Sequence, residues 1–237
     1  MNLVEYYKAN MPQDWQPILN ETGFVRLLLD IQALYKDNKD LIPRNSELLL
    51  RPFIDCPLKN LKVIVLGPGT ESSDVFFDGV LFSSRKIPNR NTINVFKELQ
   101  RKRGFHLDWA DLSMKPWSEQ GVLLLSSLPI AGLSGAGLLA DAFSVFYDKF
   151  IRYMQARTSI LYIFIDCPKI AINYNVASEI FRIDTILGSG FFDRINEILL
   201  EKMDVKPIDW MKIIKERPLY DIRRIMLQSS KFGKTGE

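Results

Sequence analysis

The chain has 237 residues, 47% hydrophobic and 25% charged, which is enough apolar material for one soluble domain with a sizeable core. Lys and Arg number 31 against 28 Asp and Glu, a net charge of +3 that permits contact with nucleic acid but lacks the strongly basic footprint of an obligate binder. Cys56 and Cys167 stand far apart with no CxxC spacing, and His106 is the only histidine. That composition argues against a zinc site, a disulfide framework and His-based acid–base chemistry, and leaves two free thiols in a reducing compartment. No apolar run approaches the roughly 18 residues that span a bilayer. The first residues also lack the basic-then-apolar layout of a signal peptide. The expectation is a soluble intracellular protein of cytoplasm or nucleus, not secreted, with no membrane partner.

In chain order, residues 15–35 read as mostly helical around a turn at Thr22-Gly23. Residues 61–66 form a Val/Ile/Leu run that suits a buried strand. Residues 92–103 follow, with Ile93, Phe96 and Leu99 on one helical face. A second buried strand is expected at 121–126, then a helix at 142–155 bearing Phe143, Phe146, Phe150 and Tyr153 at helical spacing. Strands at 160–165 and 182–187 come next, and a helix at 194–203 stops before Lys206-Pro207. Strands alternating with helices of this length predict an α/β fold: a central, mostly parallel four-stranded sheet flanked by helices. Residues 1–215 read as a single domain, and 216–237, polar and basic, as a tail.

Ligands of an open parallel sheet bind outside the carboxyl ends of its strands, so the loops after each run are the informative positions. Gly67-Pro68-Gly69-Thr70-Glu71-Ser72-Ser73-Asp74 carries turn glycines but matches neither GxxxxGK[ST] nor GxGxxG. The other loops are Ser126-Ser127-Leu128-Pro129, Asp166-Cys167-Pro168 and Gly188-Ser189-Gly190. Lys234-Thr235 resembles part of a phosphate loop, yet no strand precedes it and no helix can follow. No cofactor and no metal site is expected.

Several blocks carry a family resemblance. Pro57-Leu58-Lys59-Asn60-Leu61-Lys62-Val63-Ile64-Val65-Leu66-Gly67, Gly79-Val80-Leu81-Phe82-Ser83 and Asn94-Val95-Phe96-Lys97-Glu98-Leu99 come first. Trp117-Ser118-Glu119-Gln120-Gly121-Val122-Leu123-Leu124-Leu125 and Pro207-Ile208-Asp209-Trp210 follow in the same order. Together, over about residues 14–214, they resemble the ung-type uracil-DNA glycosylases. The resemblance implies that fold, with catalytic residues on the loop after the first strand, an asparagine after the second and a histidine- and leucine-bearing loop after the last.

At those positions the sequence departs from the family. Where the family has Gln-Asp-Pro-Tyr-His, this chain has Pro68, Gly69, Thr70, Glu71 and Ser72, so the water-positioning aspartate corresponds to Gly69 and the thymine-excluding tyrosine to Glu71. Ser126 stands for the uracil-reading asparagine and cannot reproduce its two-point hydrogen bonding. The Gly188-Ser189-Gly190 connection reads as too short for the histidine and wedge-leucine loop. Phe82 matches the aromatic that stacks on uracil, and Lys86 and Arg90 fall in the segment that pinches the DNA backbone. A positioned general base is worth about 10²–10⁴ in rate and a donor at a developing anion about 2.7–4 kcal/mol, so losing several together leaves little catalysis.

The resemblance therefore implies a catalytically inactive uracil-DNA glycosylase-like protein acting as an accessory module in replication or repair. Its partner is expected to be DNA, bound with modest and salt-sensitive affinity, or a protein of replication or repair. Mimicry of the true enzyme is a related expectation. The alternative is a divergent DNA glycosylase of altered base specificity that uses Glu71 or a nearby carboxylate, Asp74 or Asp78.

Overall fold

The computed structural model describes residues 2–84, 88–103, 113–132, 136–156, 160–167 and 178–213. Strands β1 (Val63–Gly67), β2 (Val122–Ser126), β3 (Leu161–Ile165) and β4 (Ser178–Phe181) form one sheet in the order β2-β1-β3-β4. Every pairing is parallel, with Val63 beside Val122 and Leu161, and Gly67 beside Ser126. The four-stranded parallel sheet expected from the apolar runs is thus present. Each residue of β1, β2 and β3 is buried, which is why these strands are continuous apolar runs and not alternating ones. β2 and β4 are the edge strands, and of the two only β4 is partly exposed, with Ile180 half exposed.

The alternation of side chains sends each strand into two cores. Ile64, Leu66, Leu123, Leu125, Tyr162 and Phe164 face one layer, made of α1 (Leu3–Asn10), α2 (Gln16–Glu21), α3 (Phe24–Asp37), α4 (Arg51–Asp55) and α7 (Ala140–Gln155). Val63, Val65, Val122, Leu124, Leu161 and Ile163 face the other, made of α5 (Arg90–Arg103), α6 (Lys115–Ser118) and α8 (Phe191–Glu197). The aromatic stripe of α7 is core: Phe143, Phe146, Phe150 and Met154 are buried, and Phe150 packs on Trp15 and Phe53. Burying each such side chain is worth about 1.5–3 kcal/mol. The indole N–H groups are satisfied inside the cores, Trp15 on the Cys56 carbonyl at 2.7 Å and Trp117 on the Trp210 carbonyl at 2.9 Å. Both cysteines are buried and free.

Two expectations are corrected, and one helix was not among them. The fourth strand lies at Ser178–Phe181 and not at 182–187, where a 3₁₀ turn (Ile183–Thr185) follows instead. Ile183 and Ile186 are both buried at a spacing of three, the period of a turn and not of a strand, and the Asp166 carboxylate accepts the Ile183 N–H at 3.3 Å just past the ladder. The last helix starts at Phe191, before residue 194, and continues into a π-helical turn, Ile198–Lys202. The first helix, α1, was not anticipated; Asn2 and Glu5 close a capping box at its start. His106, Lys234, Thr235 and the tail 216–237 lie outside the described residues. No helix among the described residues is long and apolar enough to cross a membrane.

Candidate functional site

The carboxyl ends of β1 and β2 meet at Gly67 and Ser126, where Ser127 N–H donates to the Gly67 carbonyl at 2.9 Å. Beyond β1 the chain is stitched to the β2 loop by Thr70 N–H on the Leu128 carbonyl, also 2.9 Å. Ser126 is buried and spends its side chain internally, since its hydroxyl donates to the Pro68 carbonyl at 2.8 Å. Its own carbonyl accepts the buried Tyr147 hydroxyl at 2.7 Å, and burial drives that phenol's pKa far up. Gly69 has room for a side chain, because a Cβ there would meet Leu128 Cβ at 3.4 Å, an ordinary contact.

Phe82 is delivered to the same place by a strained backbone. Its φ is +64°, in the left-handed region that bulky residues seldom occupy and that costs of order 1–3 kcal/mol. Gly79 makes the approach possible: at φ +94°, a Cβ there would lie 1.8 Å from the Leu48 carbonyl oxygen. The buried Phe82 ring lines a cavity together with Pro68, Thr70, Asp74, Asn89 and Ser126. The cavity holds only about 20 Å³, room for about one water.

The three loop carboxylates have different environments. Glu71 is exposed, and the Ser73 hydroxyl donates to it at 3.3 Å. Asp78 is buried and structural: it pairs with Arg51, which also holds Asp55, and it accepts the Ser83 hydroxyl at 2.9 Å. Asp74 is the carboxylate that reaches the cavity. One of its oxygens, Oδ2, accepts the Glu71 N–H at 3.0 Å, while Oδ1 is buried without a hydrogen-bond partner. Burial raises the Asp74 pKa, the Glu71 amide and the Asn89 side chain work against that, and the Glu71 charge adds to it.

Because β4 ends at Phe181, the connection to α8 runs over 182–190, longer than the Gly188-Ser189-Gly190 turn expected from the sequence. It bears no histidine; Arg182 follows the strand, and Leu187 is half exposed. Glu98 of α5 anchors this connection, accepting the Gly188 N–H at 2.6 Å and the Gly190 N–H at 2.9 Å. It also pairs with Arg101 through Nε at 3.0 Å and Nη2 at 3.2 Å. Burial alone would raise the Glu98 pKa, but hydrogen bonds from Arg101 and both glycines, with the Arg101 charge, outweigh it and hold it below the usual carboxylate range. Arg90 is exposed at the start of α5, beside Asn89 and Asn91 of the cavity. Lys86 lies outside the described residues. Sequence reasoning gave no role to Arg51 or Glu98, whose partners Asp78, Gly188 and Gly190 are remote in the chain.

A four-stranded parallel sheet in this order, with a small aromatic-lined cavity at the ends of β1 and β2, defines an open parallel α/β protein. Mimivirus uracil-DNA glycosylase superposes with a TM-score of 0.69 at 18% identity, covering 89% of each chain. A mimivirus UNG variant in complex with UGI gives 0.69 at 19% identity, over 89% of this chain and 91% of that one. In sequence, the uracil-DNA glycosylase of Campylobacter jejuni subsp. doylei is 29% identical over 225 residues, spanning 86% of this chain and 95% of the relative. No protein-family profile matches the chain. In sequence the chain is similar to uracil-DNA glycosylases along most of its length, and it shares their fold.

Proposed function

We propose that this protein keeps the uracil-DNA glycosylase fold without its base excision and serves as an accessory module that binds DNA or a protein of replication or repair. The carrying observation is the cavity at the ends of β1 and β2. As it stands among the described residues, it encloses about 20 Å³, room for about one water. The Ser126 hydroxyl, which stands for the base-reading group, is donated to the chain's own Pro68 carbonyl. Gly69 offers no side chain, and the Glu71 carboxylate is exposed on the loop. In this reading Phe82 is the base-stacking equivalent kept as a cavity wall, and Arg90 with Lys86 meets phosphate. Val75 and Leu138, 61% and 79% exposed on segments that follow β1 and β2, favour a protein surface as an additional contact.

A second reading, a divergent glycosylase of altered base specificity, is favoured by one observation: Asp74, and not Glu71 or Asp78, reaches the cavity with an uncommitted oxygen. The experiment is a titration of the full chain with matched oligonucleotides, with and without uracil, at two salt concentrations. Modest affinity that falls with salt and ignores uracil is expected. A clear preference for uracil would overturn the accessory reading.

A further inference from the structure

We propose that the cavity beside Phe82 is a binding site for a single water molecule, held between Asp74 and Thr70. Two side-chain atoms on this cavity are buried without a partner, Asp74 Oδ1 and Thr70 Oγ1. Asp74 as a whole is 8% exposed, and its other oxygen is committed to the Glu71 N–H. Buried polar atoms in folded proteins almost always have a protein or water partner, so two orphans on one small cavity call for an occupant. The volume, about 20 Å³, exceeds the roughly 10–15 Å³ that one water needs.

The chemistry of the pair fits water better than an ion. A carboxylate oxygen accepts only, and a threonine hydroxyl both donates and accepts. A water can donate one hydrogen to Asp74 Oδ1 and exchange a second hydrogen bond with Thr70 Oγ1. No lysine or arginine lines the cavity among the described residues, and the remaining polar groups there, Asn89, Asn91, Ser83 and Ser126, are neutral, Asn89 standing near enough to Asp74 to favour its charged form without closing a hydrogen bond to Oδ1. A water so placed lies in the cavity that Phe82 lines, next to a carboxylate able to orient it. The inference does not depend on whether the protein excises a base.

The test is isosteric. Thr70→Val keeps the volume and removes the hydroxyl. If a water is bound, the variant deprives it and Asp74 of a partner, and the melting temperature falls. If the cavity is dry, the variant exchanges an orphaned hydroxyl for a methyl group, and the melting temperature rises. A high-resolution crystal structure of the wild-type chain is expected to show one ordered water within about 3 Å of both atoms. An empty cavity in that structure, or a Thr70→Val melting temperature above wild type, would overturn the proposal. Uracil release by the same wild-type preparation would defeat the accessory reading while leaving the water site to stand or fall on the density.

Discussion

Glu98→Gln tests how the connection after β4 is held. The wild-type carboxylate accepts two backbone N–H groups, from Gly188 and Gly190, and pairs with Arg101, while its own side chain is only 2% exposed. A glutamine has one oxygen and one NH₂ group, so one glycine N–H must face a donor, and the ionic part of the Arg101 contact is lost. Hydrogen bonds to charged groups are worth about 1.5–3 kcal/mol each. Gly188 is exposed, so water can take over part of the loss, and a net cost of about 1.5–3 kcal/mol follows. For a domain of this size that is roughly 3–12 °C in melting temperature. The Glu98 pKa is depressed in the fold, so its contribution is present above the unfolded pKa and is lost as pH falls through the folded one. The gap between wild type and variant should therefore close in acid. Thermal melts across pH, with amide exchange at Gly188 and Gly190, read both effects. A variant that melts within about a degree of wild type at neutral pH would refute the anchoring role, given that sensitivity.

Asp74→Asn should shift stability in the opposite pH sense. The folded pKa of Asp74 is raised, so its contribution is full below the unfolded pKa and lost as pH rises through the folded value, and the variant should gain on wild type from acid to neutral pH in thermal melts. Gly69→Asp, alone or with Ser126→Asn, should fold normally, since a Cβ at Gly69 meets only ordinary contacts, yet release no uracil in an excision assay. Arg90→Ala should weaken DNA binding without regard to sequence and lower the salt slope by about 0.9, one phosphate contact in a filter-binding series. An unchanged slope would show that Arg90 makes no phosphate contact.

Much of the fold is legible in the chain. β1, β2 and β3 are unbroken Val/Ile/Leu runs because both faces are covered, and such runs have few other uses in a chain of this size. β4 is not legible because Ser178–Phe181 is only partly buried and carries little apolar signal, while Ile183 and Ile186 beside it form an apolar run that packs as a turn. The cue for α1 was the Asn2 and Glu5 spacing, which a search for apolar periodicity alone passes over. At the site, the positions of Gly69, Ser126 and Phe82 followed from motif order. The ranking of Glu71, Asp74 and Asp78 did not. It is set by a turn in which Asp74 and Glu71 bond each other's backbone, and by Arg51, a partner outside the loop that claims Asp78.

The most direct measurement is release of free uracil from single-stranded and duplex DNA by the purified full chain, compared with Asp74→Asn and Glu71→Gln. Expected is no release above the uncatalysed background from any of the three. Release by the wild-type chain that either substitution abolishes would contradict the non-excising reading and identify the carboxylate that carries the chemistry.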